Sequence, residues 1–440
     1  MTQRRRRRPS SKAGPKTTRA PQPDPVPISE EITIDALAAG GDGVGRLADG
    51  RVVFARLCAP GDRVRIEALD TGASFVKAES SQVLVPSDDR VEPRCKVFGR
   101  CGGCSWQHID YSVQTAAKQK ILNDAIERIG KFSEHVDVEF IPSPEPYGYR
   151  GRTRVMVSNA GVGFRKWRGH EIEPIEECPV LAPALNRGLA EFAASHQALE
   201  SAHADEQEWA LSIDSSARVH RVALERSDED PSDPDAAAKQ TQTETSPGVE
   251  LKVGAEAIHV SPAGFSQGNP LLFDELYRHV EEGLGGAKRG LLIELFAGAG
   301  FFTVGLSRLF ERTIAVESDK RATEDLARNL EGVEGGRVQV RCERVENALN
   351  KLKAKRPNAV VLDPPRAGLA RGAAEKVAGL GAGRIAYLSC DPATLARDLK
   401  IICTDPKTSA PRYRIARLVG IDLFPQTPHV EALAILERVA

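Results

Sequence analysis

The stretch "GLLIELFAGAGFFTVGLSRLF", Gly290 to Phe310, decides the fold. Leu291 to Leu295 is a short apolar run that reads as a buried strand, Gly298 and Gly300 form the turn behind it, and Phe302 to Leu309 opens a helix. Glycines in such a turn let a ligand approach the backbone closely. The next apolar run ends "TIAVESD", which puts Glu317 at a strand tip, where a carboxylate can accept hydrogen bonds from both hydroxyls of a ribose. From about Ser261 onward, strand-like runs alternate with helical patterns, which predicts a parallel α/β sheet over residues 261–440.

Two further loops belong at the carboxyl ends of strands in that sheet, where open α/β sheets bind ligands. "VVLDPPRAGL" follows the strand Ala359 to Leu362, and its two prolines stiffen the loop that carries Asp363. Arg366 stands where amino-group methyltransferases have an aromatic, which argues against an amine target. "YLSCDPATLARDL" places Cys390 at the tip of the following strand. A lone cysteine usually reads as a small buried hydrophobe, but at this tip a thiolate can act as a nucleophile. "FPQTPHVEALAIL" supplies Glu431 at the start of the last apolar strand, a candidate general base. His429 either helps to position Glu431 or is an ordinary satisfied histidine.

The chain has 440 residues, enough for two to four domains, and a formal net charge of -1 that is unevenly spread. The first 20 residues carry eight cations and no acid, with no apolar segment behind them, so they do not read as a secretory signal. No run approaches the roughly 18 to 20 apolar residues of a membrane span. A cytoplasmic location follows as an expectation, and there the eight cysteines read as metal-binding or catalytic, not disulfide-bonded. Residues 1–27 read as a basic disordered tail, a solubilising arm or one that leans on phosphates. Residues 28–86 alternate apolar and polar positions between Gly-Asp turns, which predicts a small barrel. Gly40, Gly41, Gly43 and Gly45 read there as turn residues. Residues 87–260 form a central β-rich segment, interrupted by an acidic, aperiodic insert at about 226–248.

"RCKVFGRCGGCSWQH" spaces Cys95, Cys101 and Cys104 as C-x5-C-x2-C, and Cys178 returns in "IEECPVLAP". Four such thiolates can hold zinc or an iron-sulfur cluster, and spacing alone does not separate the two. "YRGRTR", with Arg150, Arg152 and Arg154, and "GFRKWRGH", with Arg165, Lys166 and Arg168, alternate as strands and present cations on one face, to grip phosphates or simply to be solvated.

These motifs resemble one family. "GGDGVGRLADGRVVFARLCAPGD" resembles the TRAM domain, an OB-like barrel that binds RNA. The cysteine spacing with Cys178-Pro-Val resembles the [4Fe-4S] motif of the RNA uracil-5 methyltransferases, and "LDPPRxGL", "SCxPxTLARD" and "FPxTxHVE" follow in that family's order. The Gly298-to-Glu317 spacing likewise resembles methyltransferases that use S-adenosylmethionine (AdoMet), not NAD enzymes. The resemblance implies a Rossmann-like class I AdoMet methyltransferase domain, an N-terminal OB-like (TRAM) barrel and a central iron-sulfur domain. It implies Cys390 as nucleophile and Glu431 as base. It implies AdoMet contacts from Gln267, Phe296, Gly298, Phe301, Glu317 and Asp363, and cluster ligation by Cys95, Cys101, Cys104 and Cys178. RNA contacts fall to Phe265, stacking on a base, and to Arg150, Arg152 and Arg165. Two positions depart from the family: Phe301 replaces a polar Asn, and Arg344 stands where a cofactor contact is common, with Glu346 as a substitute. The expected partner is RNA with a flipped-out uridine, 23S rRNA ahead of tRNA, with no membrane and a monomeric enzyme. The competing readings are a non-catalytic iron-sulfur RNA-binding protein and a cytosine-C5 enzyme, the latter disfavoured by Ser389-Cys390-Asp391.

Overall fold

Apolar residues fill almost every position of the strands β14 (Leu291–Leu295), β17 (Ala359–Leu362) and β18 (Arg384–Ser389), the mark of strands covered on both faces. In this computed structural model, which describes residues 26–70, 74–132, 136–195, 206–224, 248–285, 290–333, 337–405 and 407–439, they lie at the centre of an eight-stranded sheet. With β6 (Val138–Ile141), β15 (Arg312–Glu317), β16 (Val338–Cys342), β19 (Tyr413–Ile421) and β20 (Glu431–Arg438), the order is β16-β15-β14-β17-β18-β20-β19-β6. The five strands from β16 to β18 are parallel, and β20 runs antiparallel between β18 and β19. Ile293, Leu295, Val360 and Leu362 face one core, with the helices Val345–Leu352, Ala373–Gly379 and Pro392–Cys403. Leu292, Ala359, Val361 and Leu388 face the other, with the helix Phe273–Leu284.

At the amino terminus, β1 (Val26–Leu37), β2 (Gly43–Arg46), β3 (Val52–Ala55), β4 (Arg63–Asp70) and β5 (Phe75–Val85) close into a barrel around Ile34, Val53, Val64 and Ile66. Gly41 takes a left-handed turn at φ 94°. Gly43 and Gly45 correct the sequence reading, because they lie inside β2 and not in a turn. A Cβ at Gly45 would sit 2.6 Å from the carbonyl oxygen of Thr33, so only glycine lets β2 close on β1.

The central segment forms a five-stranded antiparallel sheet from β7 (Arg152–Ser158), β8 (Gly161–Arg165), β9 (Ile172–Pro174), β10 (Gln207–Ile213) and β11 (Val219–Leu224). A hairpin of β12 (Val249–Val253) and β13 (Glu256–Val260) leads to the large sheet. The segment 87–260 does not stand apart. Its strand β6 completes the edge of the large sheet, and its helix Tyr111–Ala125 packs Leu122 and Ala125 into the same core. Of the expected basic tail and acidic insert, residues 1–25 and 225–247 lie outside the described residues. No described helix is long and apolar enough to cross a membrane.

Candidate active site

The carboxyl ends of the parallel strands form a crevice, and the chain's chemistry-bearing residues gather there. The turn after β14 is strained. Phe296 has φ 62°, and Gly298 and Gly300 have φ 54° and 98°. A non-glycine residue in the left-handed region costs of order 1–3 kcal/mol and persists only where its surroundings hold it. Around Gly298 no atom lies within 4 Å of where a Cβ would be, so the turn is open on its ligand side. At the tip of β15, Glu317 accepts hydrogen bonds from the backbone N–H of Gly298 (2.9 Å), Ser318 (2.6 Å) and Asp319 (2.8 Å). Phe301 instead joins an aromatic cluster, edge-on to Phe273 at 5.3 Å and to Phe302 at 4.9 Å. Arg344 and Glu346 pair with each other at 3.7 Å.

Asp363 follows β17, and its Oδ2 accepts from Gln267 Nε2 at 3.1 Å. The loop behind it is pinned by Asp398, which is buried and accepts from the Leu369 N–H (2.8 Å) and the Tyr387 hydroxyl (2.7 Å). Cys390 ends β18. Because Ser389 pairs with Ala432 across an antiparallel ladder, the next positions, Cys390 and Glu431, lie opposite each other at the mouth of the crevice. Burial raises the Asp363 carboxyl to about 7, against the hydrogen bond from Gln267. Burial, then repulsion from Asp363, holds Glu431 well above the usual carboxylate range. Burial, then the charges of Glu431 and Asp363, pushes the Cys390 thiol up to about 12. Beneath them Glu294, buried and raised to about 8 by desolvation, accepts from Thr303 Oγ1 at 2.6 Å. Glu294 escaped the sequence reading. Its signal was an acid inside a strand otherwise apolar throughout, which is a costly placement unless hydrogen-bonded.

His429 packs its ring against Phe424 at 6.1 Å, and burial lowers it to about 4, so it is neutral at pH 7. Its backbone N–H donates to Thr427 Oγ1.

A cavity of about 680 Å³ adjoins this crevice, lined at one end by Cys95, Cys101, Cys104 and Cys178 and at the other by Phe265 and Gln267. Burial and mutual repulsion raise Cys104 to about 12 and Cys178 to about 11. Cys101 Sγ accepts from the Gly103 N–H at 3.4 Å. Among the described residues, no three His, Cys, Asp or Glu side chains gather closely enough to hold a single metal ion. The cavity's cations are largely engaged within the protein. Arg152 donates to the Ser266 carbonyl (3.0 Å), stacks over Phe265 at 5.6 Å, and is lowered to about 10 by burial. Arg150 donates to the Arg152 carbonyl, Arg154 pairs with Glu208, Arg165 with Glu206, and Lys166 with Glu171. Arg150 also precedes β7, so it does not share the strand face that alternation suggested. Phe265 is 73% exposed, the largest value among the large exposed hydrophobics.

Residues 250–439 match the family model described as tRNA (Uracil-5-)-methyltransferase. A protein of Streptomyces avermitilis described as an uncharacterized RNA methyltransferase is 32% identical over 443 residues, covering 93% of this chain and 98% of its own. The chain belongs to this family of RNA methyltransferases. A second such methyltransferase, from Streptomyces coelicolor, is 31% identical over 98% of both chains. Among solved structures, a Pyrococcus abyssi tRNA (uracil-54, C5)-methyltransferase in complex with S-adenosyl-L-homocysteine superposes with a TM-score of 0.68 over 92% of this chain and 100% of its own, at 24% identity. The methyltransferase fold thus extends through the barrel and central sheet.

The sequence reading of this methyltransferase named Asp363, Cys390 and Glu431, which the fold brings together, but missed what holds them. Lys118 and Asp422, both fully buried, pair at 2.6 Å, and Tyr111 donates to Asp422 at 2.9 Å. Gln114 and Gln426 form a second buried pair. A lysine in a helix and an aspartate some 300 residues later carry no mutual signal in sequence.

Proposed function

We propose that this protein methylates C5 of a uridine in RNA, with AdoMet as methyl donor, by covalent catalysis through Cys390. The observation that carries the reading is the facing of Cys390 and Glu431 across the β18–β20 ladder, beside Asp363. Cys390 gives up its proton to solvent, and its sulfur bonds to C6 of the ring, moving the π electrons toward C5. AdoMet, when bound, would supply the methyl group and a positive charge that offsets the acids of the crevice. C5 then takes the methyl group, and AdoMet leaves as S-adenosylhomocysteine. Glu431 removes the C5 proton; the C5=C6 bond reforms and the carbon–sulfur bond breaks, returning the thiolate.

The crevice fits AdoMet. The Phe296–Gly300 turn is open at Gly298, and Glu317 is aimed by three backbone donors at the position of a ribose. Glu317, Asp363 and Glu294 put acids around the place of the sulfonium. Gln267 and Asp363 would complete that wall, while Phe301 contributes through packing.

Cys95, Cys101, Cys104 and Cys178 would hold a [4Fe-4S] cluster. The fit rests on their chemistry and placement. All four thiols line one cavity, and burial with the neighbouring cysteines raises Cys104 and Cys178. Four thiolates so placed suit an iron-sulfur cluster. Such a cluster would supply four iron–thiolate bonds tying residues 95–104 to Cys178.

The target enters unstacked and flipped, at a cost of a few kcal/mol. Exposed Phe265 is the stacking platform, and Arg150, Arg152 and Arg165 line the approach. The barrel serves as the TRAM-type RNA-binding unit. With the four cysteines it favours 23S rRNA as substrate for a cytoplasmic, monomeric enzyme. The test is incubation with RNA containing 5-fluorouridine, which has no removable C5 proton. A denaturant-resistant protein–RNA adduct is expected, absent in Cys390→Ser. No adduct with either ribosomal or transfer RNA would overturn the reading, and whichever RNA is trapped identifies the substrate.

A further inference from the structure

The loop between Asp422 and Glu431 is gathered on one residue, Gln426. It is 2% exposed and has φ 68°, in the left-handed region without being glycine. All four of its polar groups are used, by three separate segments. Its N–H donates to Gln114 Oε1 at 3.0 Å, and its Oε1 accepts from Gln114 Nε2 at 3.0 Å. Its Nε2 donates to the Pro146 carbonyl at 3.2 Å. Its own carbonyl accepts from both the Ser105 and Trp106 N–H at 3.1 Å, directly after Cys104. Gln114 is fully buried and also donates to the Trp106 and Ile109 carbonyls.

A non-glycine residue held at a left-handed φ is strained. Strain of this kind persists where a conformation is over-determined, and such places cluster at functional sites. Gln426 lies five positions before Glu431 on a loop that must present one carboxylate to one carbon. A reciprocal amide pair suits that task. It is directional, and it is neutral, so it adds no charge to an already acidic crevice.

We infer that Gln426, clasped by Gln114, is a positioning residue that aims Glu431 at the C5 proton. Its effect falls on proton removal and not on the earlier carbon–sulfur and methyl-transfer steps. The inference rests on the proposed function, in which Glu431 is the base. It also makes the segment after Cys104 a wall of the base's mounting, because Ser105 and Trp106 hold the Gln426 carbonyl.

The test is a single turnover of the full-length protein with methyl-labelled AdoMet and total RNA from cells lacking the protein. Two quantities are read: label entering RNA, and label held in a denaturant-resistant protein–RNA band. In Gln426→Ala and in Gln114→Met, label should enter RNA within about threefold of the wild-type rate. Release from the band should slow by about tenfold or more, a part of the roughly 10²–10⁴-fold that a placed base supplies. The band should then accumulate on ordinary uridine. A role in folding alone slows both steps by one factor and leaves no band, and that result overturns the inference. If Gln426→Ala does not fold, Gln114→Met decides; if neither folds, the pair is a folding element and the inference fails. Glu431→Gln must accumulate the band and Cys390→Ser must not. If Glu431→Gln does not, the proposed function fails, and with it the role given to Glu431.

Discussion

Cys390, Glu431 and Asp363 crowd one crevice mouth; burial raises all three, and the charge of Asp363 raises Cys390 and Glu431 further. The proposed reaction needs Cys390 and Glu431 in their ionised forms. Asp363 titrates at about 7, Glu431 well above the usual carboxylate range and Cys390 at about 12, so kcat/KM should rise with pH through 7 and beyond. Asp363→Asn removes the charge that raises both neighbours. The midpoint of the acid limb in its pH–rate profile should move to lower pH, and an unmoved midpoint would contradict this electrostatic account. Glu294 offers a stability test. Its pKa is about 8 in the folded chain and 4.5 ordinarily, so between those values the unfolded chain has lost a proton that the folded chain keeps. Stability therefore falls as pH rises across that window, at about 1.4 kcal/mol per unit of pKa difference. Thermal unfolding at pH 5 and pH 8 should show a smaller gap for Glu294→Gln than for the wild type.

At the scale of elements, the helix Tyr111–Ala125 does more than cover the sheet edge. Its Lys118 crosses to Asp422 and to the Phe424 carbonyl, so one buried cation caps the loop that leads to Glu431. Removing one partner of a buried pair leaves an uncompensated charge, at about 3–5 kcal/mol. Lys118→Met should lower stability by that order in denaturant titration, with Tyr111 the one remaining side-chain donor that the structure shows to Asp422. The strand β20 matters for a different reason. Only because it runs antiparallel to its parallel neighbours does its first residue, and not its last, lie at the ligand end of the sheet. Its alternation is masked by burial on both faces, so sequence reading found the strand and its acid from the motif, not from periodicity. Likewise β14, β17 and β18 were legible as apolar runs of four to six residues, because strands covered on two sides have no polar face.

For the whole molecule, the cysteine segment, the barrel and the base loop meet. Trp106 donates from its indole to the Gly41 carbonyl of the barrel at 2.9 Å, while its backbone holds Gln426. Arg56 of the barrel stacks over Trp167, in the connection between β8 and β9, at 3.9 Å. If the four cysteines hold a cluster, the protein purified without oxygen should carry iron and acid-labile sulfide, with a brown absorbance. Cys178→Ser should lose these, and zinc in place of iron would refute the assignment. Because Ser105 and Trp106 follow Cys104, that variant should also lower the thermal stability of the full chain.

The order of motifs along the chain was enough to determine an α/β sheet, its ligand end and the candidate nucleophile and base, because glycine turns, apolar runs and strand tips are local features with local causes. The closed barrel was also visible as short alternating strands, although the glycines inside β2 were misread as turns, since the close approach that requires them is to Ile34 and Thr33 on the neighbouring strand β1. What only the tertiary structure decided are the contacts between distant segments: β6 completing the large sheet, the cations of the cavity turned toward backbone carbonyls and neighbouring glutamates, and Gln114 meeting Gln426. Those depend on which buried polar groups find partners once the chain has closed, and no local pattern of residues encodes that.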